Sequence, residues 1–201
     1  MICPSSSRRV SWLASAPLHV LCELQARAVP EDLAPINQIE IALSLNDSFN
    51  ATGLSLDGDL LSKAARATKG YAYLVQLVGY SIWQRANLHR EKSTLVTGRD
   101  VDEGILLAEA RFHDVVHEPA ISGLSRNEIN YLYAMCEDGK QSKTLDVAKR
   151  LSKKTSELSS VRAKLLSREV IQAPQRGYVQ FAVLDLDEYL KDNRDEILSR
   201  Y

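Results

Sequence analysis

The stretch from Leu124 to Phe181 constrains this chain most: three segments of helix length, then two short β-rich runs around a turn. The first segment opens Ser125-Arg126-Asn127-Glu128, a serine able to cap a free backbone N–H and, three residues on, a glutamate able to reach back. Ile129, Leu132, Tyr133 and Cys136 follow at helical spacing, which predicts a helix over 125–137. Glu137-Asp138-Gly139 supplies the stop, with Gly139 free to take a positive φ. The second segment, Thr144 to Leu151, sets Leu145, Ala148 and Leu151 on one side and Lys149 and Arg150 on the other. After a polar break from Ser152 to Thr155, the third runs from Ser156 to Arg168. Its apolar stripe is Leu158, Val161, Leu165 and Leu166, and its other face carries Ser156, Ser159, Ser160, Arg162, Ala163 and Lys164.

Val170 to Ala173 and Tyr178 to Phe181 flank Pro174-Gln175-Arg176-Gly177 and read as a hairpin with Arg176 at its tip. A helix, a short turn, an amphipathic helix and a hairpin are the order of a winged helix-turn-helix domain, in which one helix lies in the DNA major groove. Lys153, Lys154, Ser156, Ser159, Ser160, Arg162, Lys164 and Arg176 are therefore the candidate DNA contacts. Arginine offers a planar fork to guanine or phosphate and lysine a point charge to the backbone. The plainer reading is a solvated charged face, and some winged helices bind only proteins.

The charge distribution favours the first reading. The net charge of the 201 residues is −1, yet residues 123–181 carry 11 Lys+Arg against 6 Asp+Glu, while residues 1–122 and 182–201 each come to −3. With 45% hydrophobic residues the chain can support real cores. Cys3, Cys22 and Cys136 are widely spaced, which disfavours a disulfide framework or zinc ribbon and fits a reducing cytoplasm. Arg8 and Arg9 before Val10 to Cys22 superficially resemble a signal peptide, but Ser, Pro and His interrupt the apolar run. No run reaches the roughly 20 apolar residues of a membrane span.

Before this stretch, residues 1–32 form a poorly defined segment punctuated by Pro4, Pro17 and Pro30. Four helices follow. The first holds Ile36, Ile39, Ile41, Leu43 and Leu45 and ends between Asn46 and Gly53; the second starts at Asp57-Gly58-Asp59 and closes at Gly70. The third, Tyr71 to Leu88, is apolar enough to be buried on most sides. Asp100 can cap the fourth, which Pro119 ends. The fold class expected is mainly α: a small helical bundle over 33–118, a winged helix-turn-helix with a short β-hairpin over 123–183, and a helical tail over 184–201 that packs back.

Three pieces together carry a resemblance: Ala65-Arg66-Ala67-Thr68-Lys69-Gly70-Tyr71-Ala72-Tyr73-Leu74-Val75-Gln76-Leu77-Val78-Gly79-Tyr80, then Val116-His117-Glu118-Pro119-Ala120, then the winged helix. Over about Leu33 to Leu190 the chain resembles the carboxy-terminal half of bacterial AAA+ ATPases related to the archaeal origin-recognition type, in which a helical lid precedes a terminal winged helix. The resemblance implies a lid-like bundle and a DNA-contacting domain. Two departures limit what it implies. No Gly-x-x-x-x-Gly-Lys-Ser/Thr loop and no apolar strand ending in paired acids is present, so phosphate cradle and magnesium ligands are missing and no ATP hydrolysis, catalytic residue or cofactor is expected of this chain. Where the family has Gly-x-Pro before the third lid helix, this chain has Gly70-Tyr71-Ala72, with no arginine starting that helix, which argues against a nucleotide contact there. The simplest account is a fragment of a larger ATPase-type protein.

His113 and His117, spaced i, i+4, could share a metal, but two imidazoles do not complete a tetrahedral site, so packing is expected. Tyr71, Tyr73, Tyr80 and Trp83 could form a base-stacking strip, but their apolar helix favours core packing. The serines have no paired histidine and acid at a recognisable elbow. Two functions follow: a module that binds double-stranded DNA, or an interaction module that docks on an ATPase core or on a second copy of itself, in neither case at a membrane.

Overall fold

The computed structural model describes residues 35–201; the readings for residues 1–32, including Cys3 and Cys22, lie outside the described residues. Pro35 to Tyr201 form one compact unit that is mainly helical with a small antiparallel sheet. Its first helix, α1 (Gln38–Ala51), begins where the Asn37 side chain accepts the Ile39 N–H at 2.8 Å. Ile41, Leu45 and Phe49 repeat every four residues and are buried. The helix ends within the expected range of Asn46 to Gly53, and its last turn brings Phe49 into the core. Helix α2 (Gly58–Ala67) starts on the Asp57 carboxylate, which accepts the Asp59 N–H at 2.9 Å.

Helices α3 (Ala72–Asn87) and α4 (Gly98–Phe112) pack against each other most closely at Gly104, where an added Cβ would stand 2.7 Å from the Ile82 Cα. Leu74, Leu77, Val78, Ile82 and Ala86 line the buried face of α3. Burial on most sides was expected of this helix; instead it is buried on one side. Tyr73 and Tyr80 remain 40% and 52% exposed and Tyr71, just before it, 45%, so these three tyrosines are not core residues. The cap of α4 is Thr97 rather than Asp100. Thr97 and Asp100 exchange hydrogen bonds as the two ends of a capping box, and the His89 imidazole adds a contact to Asp100 at 2.9 Å. Burial works against ionisation of Asp100, but the Thr97 and His89 hydrogen bonds hold its carboxyl below the usual range.

Nor does Pro119 end the fourth helical run. A π-helical turn over His113–His117 follows α4 and leads into the short helix α5 (Glu118–Ile121). Proline here occupies the first turn of a new helix, where its missing N–H has no partner to lose.

The second half contains α6 (Arg126–Met135), β1 (Ser142–Lys143), α7 (Thr144–Arg150), α8 (Ser159–Ser167), β2 (Ile171–Gln172), β3 (Tyr178–Phe181), α9 (Leu186–Asp192) and α10 (Arg194–Ser199). The expected hairpin pairs Ile171 with Phe181 and Gln172 with Gln180, and it gains a third strand, with Ser142 opposite Val179 and Lys143 opposite Tyr178. Sheet order is β1-β3-β2. The Thr144 N–H donates to the Gly177 carbonyl at 2.9 Å and sets the start of α7. In that setting Val147 and Ala148 face inward and Leu145, expected on the apolar side, is 57% exposed. Gly139 is not left-handed; α6 stops at Cys136, and the glycine of this half that uses positive φ in the sheet is Gly177 at +83°.

The two halves have separate apolar clusters. One gathers α1 to α4 around Ile41, Leu45, Val78, Ile82, Val101 and Phe112. The other gathers Ile129, Leu132, Leu165, Ile171 and Val179 with Leu186, Leu190 and Ile197 of the last two helices, so the tail is part of this core.

Candidate nucleic-acid interface

Helix α6 anchors the second half through its capping box: the Ser125 N–H and hydroxyl both donate to the Glu128 carboxylate at 2.6 Å. The Ser125 hydroxyl, against the cost of burial, holds the Glu128 carboxyl below its ordinary range, with Lys164 and Arg168 adding favourable charge. At the other end of α6, Arg150 from α7 grips Asp138 with two hydrogen bonds of 2.6 Å and the Ala134 carbonyl at 2.7 Å. That bidentate pair makes Arg150 a structural clamp. It also holds the Asp138 carboxyl below its ordinary range.

On this scaffold the structure separates the predicted contact residues into three places. Lys153, Lys154 and Ser156 lie exposed in the turn between α7 and α8. Ser159, Ser160 and Lys164 lie exposed on the outer face of α8, which starts three residues later than expected, leaving Ser156 before the helix. Arg176 lies exposed in the hairpin turn. Lys153, Lys154, Lys164 and Arg176 form no ion pair with any described residue. Arg162 differs. It is half-buried, its Nε has no hydrogen-bond partner, and its charge acts on the buried Tyr131 of α6, so it turns toward the core.

Two features of the surface escaped the sequence reading. Lys143 becomes a candidate only once β1 exists: it is exposed opposite Tyr178, which follows Arg176 by two residues, with its ammonium 6.0 Å from the Tyr178 ring centroid. Glu157 lies within the basic turn, and its carboxylate accepts the Lys154 N–H at 2.6 Å, which orders the turn but places a negative charge beside Lys153 and Lys154. Among the described residues no group of three His, Cys, Asp or Glu is placed to hold a metal ion, and no helix is long and apolar enough to cross a membrane.

A family described as a domain of unknown function (DUF8462) matches residues 114–190. That range joins the π turn to the whole second half up to α9. No curated protein matches the chain. Among solved structures the chain is similar to one point variant of Thermotoga maritima RuvB, at 13% identity and a TM-score of 0.36 over 79% of this chain and 50% of that one. It is also similar to a second point variant of the same protein, at 13% identity and a TM-score of 0.38 over 84% and 53%. The chain thus spans about half the length of these structures, and a likeness at this level assigns neither its fold nor its activity.

Proposed function

We propose that residues 123–183 are a winged helix-turn-helix domain that binds double-stranded DNA, with α8 as the groove-reading helix and the β2–β3 hairpin as the wing. The observation that carries this reading is the set of four exposed cations without ion pairs, Lys153, Lys154, Lys164 and Arg176, at the turn, helix and hairpin tip that such a domain turns toward a duplex. Ser156, Ser159 and Ser160 supply neutral phosphate or base-edge donors on the same elements. Arg162 is the weakest of the eight candidates, because its half-buried side chain must leave Tyr131 to reach a groove. In this proposal residues 33–118 are a lid-like bundle of AAA+ descent that orients the DNA-binding half, and the chain alone does not turn over ATP.

Fluorescence anisotropy with a labelled duplex at low salt tests the proposal. The expected result is binding that weakens at least tenfold when Lys153, Lys154, Lys164 and Arg176 are all replaced by glutamine, with no change in folding. Equal affinity of the variant, or no binding of any duplex by the native chain, would overturn it.

A second reading rests on a different surface. Ile36, Ile39, Leu43, Tyr71, Tyr73, Tyr80, Leu88, Leu95, Leu106 and Val115 are all exposed in the first half, whereas Leu145 is the exposed large apolar residue of the second. Ile39 and Leu43 lie one turn apart on α1 and border a groove with Leu61 of α2. Such a surface suits a protein partner, an ATPase core or a second copy of the chain. Light scattering that finds a monomer at every concentration would remove self-association from this reading.

A further inference from the structure

Helix α1 is apolar on two faces. Ile41, Leu45 and Phe49 turn its inner face to the core, yet Ile39 and Leu43 on its outer face are 69% and 61% exposed, and Ile36 just before it is exposed as well. A surface helix needs one apolar stripe to hold it to its core, so the second is free for another contact. Between α1 and α2 runs a groove of about 630 Å³. Ile39, Leu43 and Leu61 border it, and Ala42 lines it with the buried Leu56 and Ala65.

The charge beside this groove is acidic. Residues 35–62 hold four carboxylates, Glu40, Asp47, Asp57 and Asp59, and no lysine or arginine. By the helical period Glu40 and Asp47 share the outer face of α1 with Ile39 and Leu43. Asp57 and Asp59 flank Gly58, which lines the groove where α2 begins. All four are exposed, and none forms an ion pair with a described residue. Arg66, in the last turn of α2, is the one cation among the residues that line the groove.

This chemistry narrows the occupant. Like charge disfavours a nucleic acid or an anionic lipid surface. Two copies of the chain joined through this face would set carboxylate against carboxylate. The basic half of a second copy exposes one large apolar side chain among the described residues, Leu145, too few for a groove bordered by three. An extended segment fits no better. α1 and α2 keep their backbone N–H and C=O groups within their own helices, so a strand laid between them would bury backbone groups without partners, whereas a helix arrives with its own already bonded.

We propose that this groove binds a cationic amphipathic helix of a separate protein. Its apolar face lies on Ile39, Leu43 and Leu61, and its lysines or arginines stand opposite Glu40, Asp47, Asp57 and Asp59. The proposal rests on the reading of the first half as a protein-docking surface and names the partner's chemistry. With 14 residues α1 is about 21 Å long, which gives such a helix about four turns of contact. Apolar burial supplies the affinity, and the carboxylates select a cationic partner over an anionic one.

The probe is a synthetic helix of about fifteen residues with leucine along one face and lysine on the other, titrated calorimetrically into the full chain at about 0.1 M salt. The same peptide with glutamate in place of lysine is the comparison. The lysine peptide is expected to bind saturably, roughly tenfold tighter than its glutamate counterpart, with backbone ¹⁵N shifts concentrated in α1 and α2. Ile39→Ser combined with Leu43→Ser changes two exposed side chains and is expected to weaken binding roughly tenfold with thermal melting unchanged. Glu40→Gln combined with Asp47→Asn is expected to narrow the preference for lysine. Equal binding of the two peptides, or a preference unchanged in that variant, would overturn the cationic partner and leave a protein-docking surface. Binding of neither peptide would overturn the docking surface too. Shifts centred outside α1 and α2, or a dimer in light scattering that the Ile39 and Leu43 substitutions dissolve, would overturn the assigned occupant.

Discussion

The two halves of the molecule present opposite surfaces to solvent. The first half, α1 to α4 with the π turn, leaves ten large apolar side chains exposed among the described residues, whereas the α6–α10 half leaves Leu145 alone of that kind and gathers the exposed, unpaired Lys153, Lys154, Lys164 and Arg176. Both halves are helical and both have closed cores, so the difference does not come from incomplete folding. Contiguous apolar exposure suits a protein partner, and clustered cations suit a polyanion. One chain thus carries two kinds of surface, and each can be altered without the other.

The largest expected effects are on the separate cores. Gly104→Ala forces a Cβ into the Ile82 backbone and is expected to cost about 3 kcal/mol through overpacking. Leu165→Ala removes a fully buried side chain of the other cluster and is expected to cost about 3 kcal/mol. Hydrogen exchange distinguishes them: the first should speed exchange of α3 and α4 amides while α6 and α8 stay protected, and the second the reverse. Uniform acceleration in both variants would mean that the halves open as one unit.

Acid should act next, on the first half through Asp100 and on the second through two carboxylates. Glu128 and Asp138 both have folded pKa values below their ordinary 4.5 and 3.8, so their stabilising contribution is present above those values and is lost as pH falls through the depressed ones. The second half is therefore expected to lose stability below about pH 4, and Asp138→Asn should flatten part of that dependence in a pH series of thermal melts. Cys136 gives a smaller readout. Burial pushes its thiol up to about 12, so alkylation of Cys136, followed by mass spectrometry at pH 8, should be slow in the folded chain and fast after denaturation. The smallest effect expected is on DNA binding itself when the apolar surface is changed: Ile39→Glu with Leu43→Glu should leave duplex affinity within twofold.

Local signals were the legible part of this fold. The Ser125/Glu128 box, the Asp57 cap and the alternating hairpin need only neighbours in sequence, and each stands where its pattern placed it. What was missed depends on contacts distant in the chain. Strand β1 is two residues long and exists because β3 offers an edge, and with it came the rotation of α7 that turned Leu145 outward. Pro119 looked like a terminator because a π turn, invisible to apolar periodicity, was needed to make it a first-turn residue. At the candidate site, exposure of Lys153, Lys154, Lys164 and Arg176 could be inferred from polarity. The inward turn of Arg162 toward Tyr131 could not, because it depends on the packing of α8 on α6.

The salt dependence of duplex affinity is the most direct measurement of the central claim that the unpaired cations form a DNA-binding face. Each phosphate contact releases condensed counterions, so four contacts predict a slope of about −3 to −4 in log K against log salt. The fourfold glutamine variant is expected to lose most of that slope. A native slope near zero, or one unchanged in the variant, would contradict the account.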